Sequence, residues 1–255
     1  MHQDLLKNKI RLSFNRAYNT YDNCCMLQSS ICEKLIIQLK QYISNASSIV
    51  DLGCGTGNST KLLIDNFAHK KIYAVDIADK LLAKAKYKLA QYEVNILLAD
   101  FERILFKSHS IKLAFSNMSL QWSINFIKTL ETLYRQLVDD GILAFSMPMN
   151  DTFFELKDNY RNTFYTPAEI SSMLVNSGFK IIFFSDQFYK LPFELPGIAL
   201  RSIKMVGANC LFSKNFNNGL ASKTKLNKIF KNEDNYSLTY HIGFFIVKKN
   251  SKNVT

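Results

Sequence analysis

Asp51, Gly53, Gly55 and Gly57 alternate along the end of the apolar run Ile49-Val50, and their types suit one task, holding a nucleotide-like ligand against the main chain. Glycine serves at a strand-to-helix reversal because the backbone angles there exclude side chains and because a ligand can then touch the chain directly. A nicotinamide-type dinucleotide fold carries G-x-G-x-x-G, which would put the last glycine at Asn58, so the spacing favours a different nucleotide-like ligand. A second carboxylate, Asp76, ends the apolar run Ile72-Tyr73-Ala74-Val75 about 20 residues beyond Gly57, the separation at which such folds put an acid on ribose hydroxyls. A carboxylate accepts two hydrogen bonds and so suits a vicinal diol. Capping a helix expected over 78–92 is another use for the same residue.

The elements that must position these groups repeat one plan. The run 94–99 again stops at an acid, Asp100, with Phe101 beside it, and the run 111–116 leads into Asn117-Met118-Ser119-Leu120-Gln121-Trp122. Glycine turn, acid, acid and polar strand end thus recur at the carboxyl edge of successive strands, where open α/β sheets bind ligands. A helix over 124–137, a turn at Asp139-Asp140-Gly141 and a strand over 142–147 complete five strands. Thr166-Pro167-Ala168-Glu169 reads as an N-cap, a first-turn proline and a third-position glutamate, so a helix should run to Asn176 and stop at Gly178. A long strand over 179–188 then finds its natural antiparallel partner in 236–249. At the amino terminus, 5–43 is helical with a break around 19–23, and Leu27, Ile31, Leu35 and Leu39 form an apolar stripe. The expected organisation is an amino-terminal helical cap (1–45), a core (46–191 and 236–250) and an insert over the acceptor site (192–235).

Composition bounds the rest. Hydrophobic residues at 47% and charged residues at 21% describe an ordinary globular chain able to bury a substantial core. The net charge of +11 points to a polyanionic partner or to a lysine bias spread over the surface. Five cysteines form no C-x-x-C pair, so neither a zinc site nor a disulfide framework is indicated and a reducing compartment follows. With no signal pattern at the amino terminus and no run of membrane-spanning length, the expected location is cytoplasmic, with no metal and no membrane partner.

The acid followed by G-x-G-x-G resembles the first motif of the class I S-adenosylmethionine-dependent methyltransferases. The resemblance implies a Rossmann-like α/β fold, with a seven-stranded, mostly parallel sheet, helices on both faces and an antiparallel last strand. It implies S-adenosyl-L-methionine as cofactor, held by Asp51, Gly53, Gly55, Gly57, Asp76 with Ile77, Asp100 with Phe101, and Asn117, with Asp100 facing the adenine amino group. A narrower likeness covers nearly the whole chain. Ser13-Phe14-Asn15-Arg16-Ala17 with Tyr18, Phe115-Ser116-Asn117 with Leu120-Gln121-Trp122, and an insert running from Leu200-Arg201 to Gly207-Ala208-Asn209 together look like the malonyl-acyl-carrier-protein O-methyltransferases of biotin synthesis. The strand start Ile111-Lys112-Leu113, where relatives have an acid, and the basic loop 103–110 depart from that pattern.

That narrower resemblance implies methyl transfer from the sulfonium to the free carboxylate of a malonyl thioester carried on an acidic acyl carrier protein. Such a carboxylate is ionised near neutral pH, so no general base is required, and the scattered histidines are consistent with that. Arg201 is the candidate guide for the malonyl carboxylate, with Lys204 second; Tyr18, Gln121 and Trp122 would wall the methyl group. Lysines of the insert, among them Lys214, Lys223, Lys225 and Lys228, would meet the carrier. Alternatives are a methyltransferase for a free small acid of the aconitate type and a donor-binding subunit without turnover. A nucleic-acid methyltransferase has only the charge in its favour, and a quinone C-methyltransferase would need a base that the sequence does not display.

Overall fold

The computed structural model describes residues 2–208, 229–232 and 236–250. In chain order these form α1 (His2–Arg16), α2 (Tyr21–Cys24), α3 (Met26–Leu39), β1 (Asn45–Leu52), α4 (Asn58–Asn66), β2 (Ala68–Asp76), α5 (Asp79–Lys88) and β3 (Asn95–Leu98). Then follow β4 (Ile111–Asn117), α6 (Phe126–Gln136), β5 (Leu137–Pro148), α7 (Pro167–Asn176), β6 (Phe179–Leu191), α8 (Pro196–Met205) and β7 (Leu238–Lys249). The strands make one sheet in the order β3-β2-β1-β4-β5-β7-β6. β1 pairs in parallel with β2 and β4, β2 with β3, and β4 with β5. β7 runs the other way, since Met149 and Phe153 donate to the carbonyls of His241 and Thr239 in descending order.

Burial follows this order. β7 is buried along almost its whole length and lies inside the sheet between β5 and β6, whereas β6 alternates between half-buried and exposed as an edge strand does. The strand expected as antiparallel partner of 179–188 is therefore flanked on both sides, which explains its unbroken apolar run Ile242-Gly243-Phe244-Phe245-Ile246-Val247. Phe245 stacks on Phe145 of β5 at 5.0 Å and tilts against Phe184 of β6 at 4.7 Å, so one aromatic side chain links three strands.

Two local expectations are corrected. Asp139-Asp140-Gly141 does not separate helix from strand, because β5 opens at Leu137 and carries these residues as a bulge. Ile111 pairs with Leu137 but Leu113 already pairs with Ile142, and Asp140 takes the left-handed φ of 58° that lets the extra residues loop out. The helix expected over 78–92 spans only Asp79–Lys88, and Asp76 does not cap it. Asp76 Oδ1 accepts the N–H of Ala78 two residues on at 2.7 Å, an Asx turn that precedes the helix. The capping signal at Thr166-Pro167 does open α7, which ends at Asn176 before Gly178 at φ 94°.

The described residues fall into two compact units, one drawn from 1–25, 148–166 and 186–242 and the other from 26–147, 167–185 and 243–255. The second contains β1 to β4 whole, with the ends of all four. The four described cysteines are free thiols, and no described helix is long and apolar enough to cross a membrane.

Candidate functional site

The second unit gathers the glycines and carboxylates at the carboxyl ends of β1, β2 and β3. Gly53, Gly55 and Gly57 all lie in the left-handed region, at φ 77°, 55° and 84°. At Gly53 the reason is spatial as well, because a Cβ there would stand 1.8 Å from Ser119 Oγ. The loop is fixed to the end of β2 by the N–H groups of Gly53 and Cys54, which both donate to Val75 O at 2.8 and 3.0 Å. Gly57 then starts α4 without a side-chain cap, leaving first-turn donors of the kind that suit an anionic or polar ligand.

Asp51 is fully buried at the end of β1. Its Oδ2 accepts the hydroxyls of Ser59 at 2.6 Å and Thr60 at 2.7 Å, both from the first turn of α4. Its Oδ1 is buried with no hydrogen-bond partner among the described residues. Burial is the main cause that pushes this carboxyl up to about 6, against the lowering effect of the two hydroxyls and with the charge of Asp76 adding to the rise. Asp76, half-buried at the end of β2, accepts from the N–H of Gly55 at 2.8 Å and of Ala78 at 2.7 Å. Burial raises its pKa too, opposed by backbone donors that include the N–H of Ile77. Asp100, half-buried after β3, accepts the N–H of Glu102 at 3.1 Å and lies 3.9 Å from Arg103, with half-buried Phe101 next in the chain. Ala99 N–H donates to Asp76 O at 3.0 Å, which joins the ends of β2 and β3.

At the end of β4 both ends of the Asn117 amide are engaged. Oδ1 accepts the Ser146 hydroxyl at 2.8 Å, and Nδ2 donates to the main-chain oxygen of Gln28 at 2.9 Å. Met118 follows with φ 52°, a strained conformation for a side-chain-bearing residue, held by its N–H on the Ser146 carbonyl and hydroxyl at 3.0 and 3.1 Å. The 3-10 turn Leu120–Trp122 buries Trp122, and Gln121 Nε2 donates to Met118 O at 2.8 Å while its Oε1 is buried with no partner among the described residues.

Tyr18 and Arg201 belong to the first unit. Tyr18 is half-buried in the turn after α1, and Arg201 is exposed on α8. Thr20 Oγ1 donates to Met205 O at 2.9 Å, and Gly207 lies so flat on Phe14 that a Cβ would meet its ring at 2.6 Å. The amino-terminal Phe14 to Ala17 segment and the Leu200 to Gly207 segment, distant in sequence, are therefore packed on each other. The same unit holds a group that sequence reasoning passed over: His241, buried, sits 2.8 Å from Asp186 and 3.3 Å from Asp151 with Phe188 stacked on it at 4.1 Å. Lys214, Lys223, Lys225 and Lys228 lie outside the described residues.

Other partners that escaped sequence reasoning are Ser59, Thr60, Ser119 and Ser146. The hydroxyls in the first turn after an acid-and-glycine loop were a readable signal for Ser59 and Thr60; Ser119 and Ser146 are recognisable only from tertiary contact. Among the described residues no cluster of three acidic, histidine or cysteine side chains could hold a metal ion. The loop suits a nucleoside carrying a cationic amino-acid tail: Gly53 leaves no room for a side chain, carboxylates end β1 and β2, and Asp51 Oδ1 is a buried acceptor awaiting a donor.

Comparison with known proteins bears on the same region. A methyltransferase-domain family model matches residues 50–145. The chain is 42% identical over 244 residues to malonyl-[acyl-carrier protein] O-methyltransferase 2 of Coxiella burnetii, a match covering 96% of this chain and 97% of that one. It is 28% identical to malonyl-[acyl-carrier protein] O-methyltransferase 1 of Ilyobacter polytropus, over 95% of both chains. Among solved structures, the YcgJ protein of Bacillus subtilis superposes with a TM-score of 0.65 at 12% identity, covering 86% of this chain and 99% of that one. Phosphoethanolamine N-methyltransferase 2 of Haemonchus contortus, in complex with S-adenosyl-L-methionine, gives a TM-score of 0.56 at 19% identity over 86% of this chain and 53% of that one. These structural likenesses establish the Rossmann-like methyltransferase fold.

Proposed function

We propose that this chain, which belongs to the malonyl-[acyl-carrier protein] O-methyltransferase family, moves a methyl group from S-adenosyl-L-methionine to the free carboxylate of a malonyl thioester on an acyl carrier protein. The observation that carries the reading is the 42% identity sustained over 96% of the chain, which takes in the amino-terminal segment and the insert as well as the shared core. The product, a malonyl methyl ester, has lost its terminal charge and can be elongated as an apolar primer toward the pimeloyl unit of biotin.

The cofactor supplies a methyl group made electrophilic by its sulfonium. In this reading Asp76 with Ile77 holds the ribose, Asp100 with Phe101 the adenine, and Gly53, Gly55 and Gly57 let main chain run along the donor. Asp51 and the Asn117 strand end complete that side. Tyr18, Gln121 and Trp122 keep water from the methyl group, and Arg201, with Lys204, guides the malonyl carboxylate. No residue need remove a proton, because the nucleophile is already ionised near neutral pH. The described histidine side chains fit that economy, being engaged elsewhere: His69 with the Phe67 carbonyl, His109 with Asp139, and His241 between Asp186 and Asp151. What remains is orientation, which contributes on the order of 7 to 11 kcal/mol in ideal cases.

Carrier proteins are generally acidic, and a chain of net charge +11 would meet one faster at low salt. The deciding experiment supplies labelled S-adenosylmethionine and compares malonyl carrier protein, malonyl-coenzyme A, free tricarboxylates and bulk RNA. Base-labile label on the malonyl thioesters is the expected result; label confined to the tricarboxylates or RNA, or to nothing despite donor binding, overturns the proposal.

A further inference from the structure

The ends of β1 and β4 hold more buried acceptors than the described residues satisfy. Asp51 Oδ1, Gln121 Oε1 and Gln28 Oε1 are each shut off from solvent, and none meets a donor among the described residues. A buried acceptor left in this state is costly unless a bound group supplies the missing donor. Gln28 is the unexpected member, because it comes from the first turn of α3 and no motif in the sequence marks it.

Its position is nevertheless built. The Ser146 hydroxyl of β5 donates to Asn117 Oδ1, and Asn117 Nδ2 donates to the Gln28 main-chain oxygen, so a run of hydrogen bonds ties β5, β4 and α3 together. Ser146 is fully buried, which keeps that run out of competition with water. Residues four apart share one face of a helix, so Cys32 marks the direction in which Gln28 looks. Cys32 is buried together with Ile31, Leu35, Ile36 and Leu39, so the face of α3 that bears Gln28 is turned into the core. α3 also packs on both α4 and β4.

The order of the sheet edge says which part of a ligand lies there. With adenine at Asp100 on β3 and ribose at Asp76 on β2, the amino-acid end of the donor falls beyond the glycine loop, at β1 and β4. Its ammonium is the one cationic group on that end with N–H donors to give. We propose that Gln28 binds this ammonium through Oε1 as the partner of Asp51, and that Asn117 is a positioning residue that acts by holding Gln28. The proposal rests on the S-adenosylmethionine reading above.

The test is calorimetric and needs no turnover. The full chain is titrated with S-adenosylhomocysteine and with methylthioadenosine, which shares the nucleoside but lacks the amino-acid end. Gln28→Leu should weaken S-adenosylhomocysteine by roughly 10- to 100-fold, the range expected for a lost hydrogen bond to a charged group, and leave methylthioadenosine unchanged. Gln28→Glu, which keeps the acceptor, should bind S-adenosylhomocysteine within a few-fold of the parent, and Asn117→Ala should repeat the Gln28→Leu selectivity in weaker form. Should Gln28→Leu prove unstable, Gln28→Met, of similar length, takes its place in the same titrations. Equal losses on both ligands, or no loss on either, overturn the role of Gln28. If the parent chain binds neither ligand, the donor reading falls and takes this inference with it.

Discussion

The carboxyl edge of β1 to β3 and the unit containing α1 and α8 treat their polar groups in opposite ways. At the edge, Asp51 is fully buried and Asp76 half-buried, and both are raised in pKa by burial and held by hydroxyls or backbone N–H groups from the glycine loop and the turns beside it. In the other unit Arg201 is exposed on its helix, and the buried histidine there is already flanked by two carboxylates. A preorganised edge suits a ligand of constant structure such as a cofactor. An exposed cation suits a substrate that arrives on a carrier and must leave again. The contrast predicts that damage at the edge acts on donor affinity, and acts strongly, whereas damage on α8 acts on the acceptor and acts mildly.

Asp76→Ala is the sharpest way to break the comparison. The substitution removes the proposed ribose partner and frees the N–H groups of Gly55 and Ala78 that now converge on one carboxylate. Donor affinity should fall by about a hundredfold or more, the sum of two or more charge-assisted hydrogen bonds. Calorimetry with S-adenosylhomocysteine reads this directly; unchanged affinity would remove the ribose assignment and the preorganised edge with it.

How legible each region was follows from the same contrast. The glycine turn and the acid-terminated strand ends were readable because their requirements are local: Gly53, Gly55 and Gly57 take left-handed angles, and Asp51, Asp76 and Asp100 end apolar runs. The parallel run of β1 to β4 and the start of α7 at Pro167 were readable for similar reasons. The bulge at Asp140 was not, since Asp139-Asp140-Gly141 makes as good a turn between elements as a bulge inside one, and only pairing with β4 decides. Nor was the His241 cluster, whose partners Asp151 and Asp186 come from segments 90 and 55 positions away and meet only through the sheet. Gln28 escaped for the same reason, being marked by what it lacks in the fold.

Arg201→Ala should separate the two regions from the other side. Because the guanidinium is exposed, its interaction with a malonyl carboxylate is screened, and a rise of about tenfold in KM for malonyl carrier protein is expected with donor affinity unchanged. A steady-state series at two donor concentrations distinguishes the effects. Loss of donor affinity without change in the acceptor KM would reverse the assignment and make α8 part of the donor site.

The smallest expected effect is a pH dependence of donor binding through Asp51. Its folded-state pKa, raised to about 6, lies above its unfolded value. Between about pH 4 and 6 the folded chain therefore keeps a proton that the unfolded chain has released, and stability falls as pH rises through that window before levelling off above it. An ammonium beside Asp51 needs the ionised form, so binding below pH 6 must expel the proton. Donor affinity should accordingly weaken about three- to fivefold between pH 7 and 5.5. Burial raises Asp76 as well, so the control is Asp51→Asn, which should bind more weakly overall but lose most of this slope. An unchanged slope in that variant would shift the proton to Asp76. The edge would then be preorganised around the ribose acid, with Asp51 serving chiefly to fasten α4 through Ser59 and Thr60.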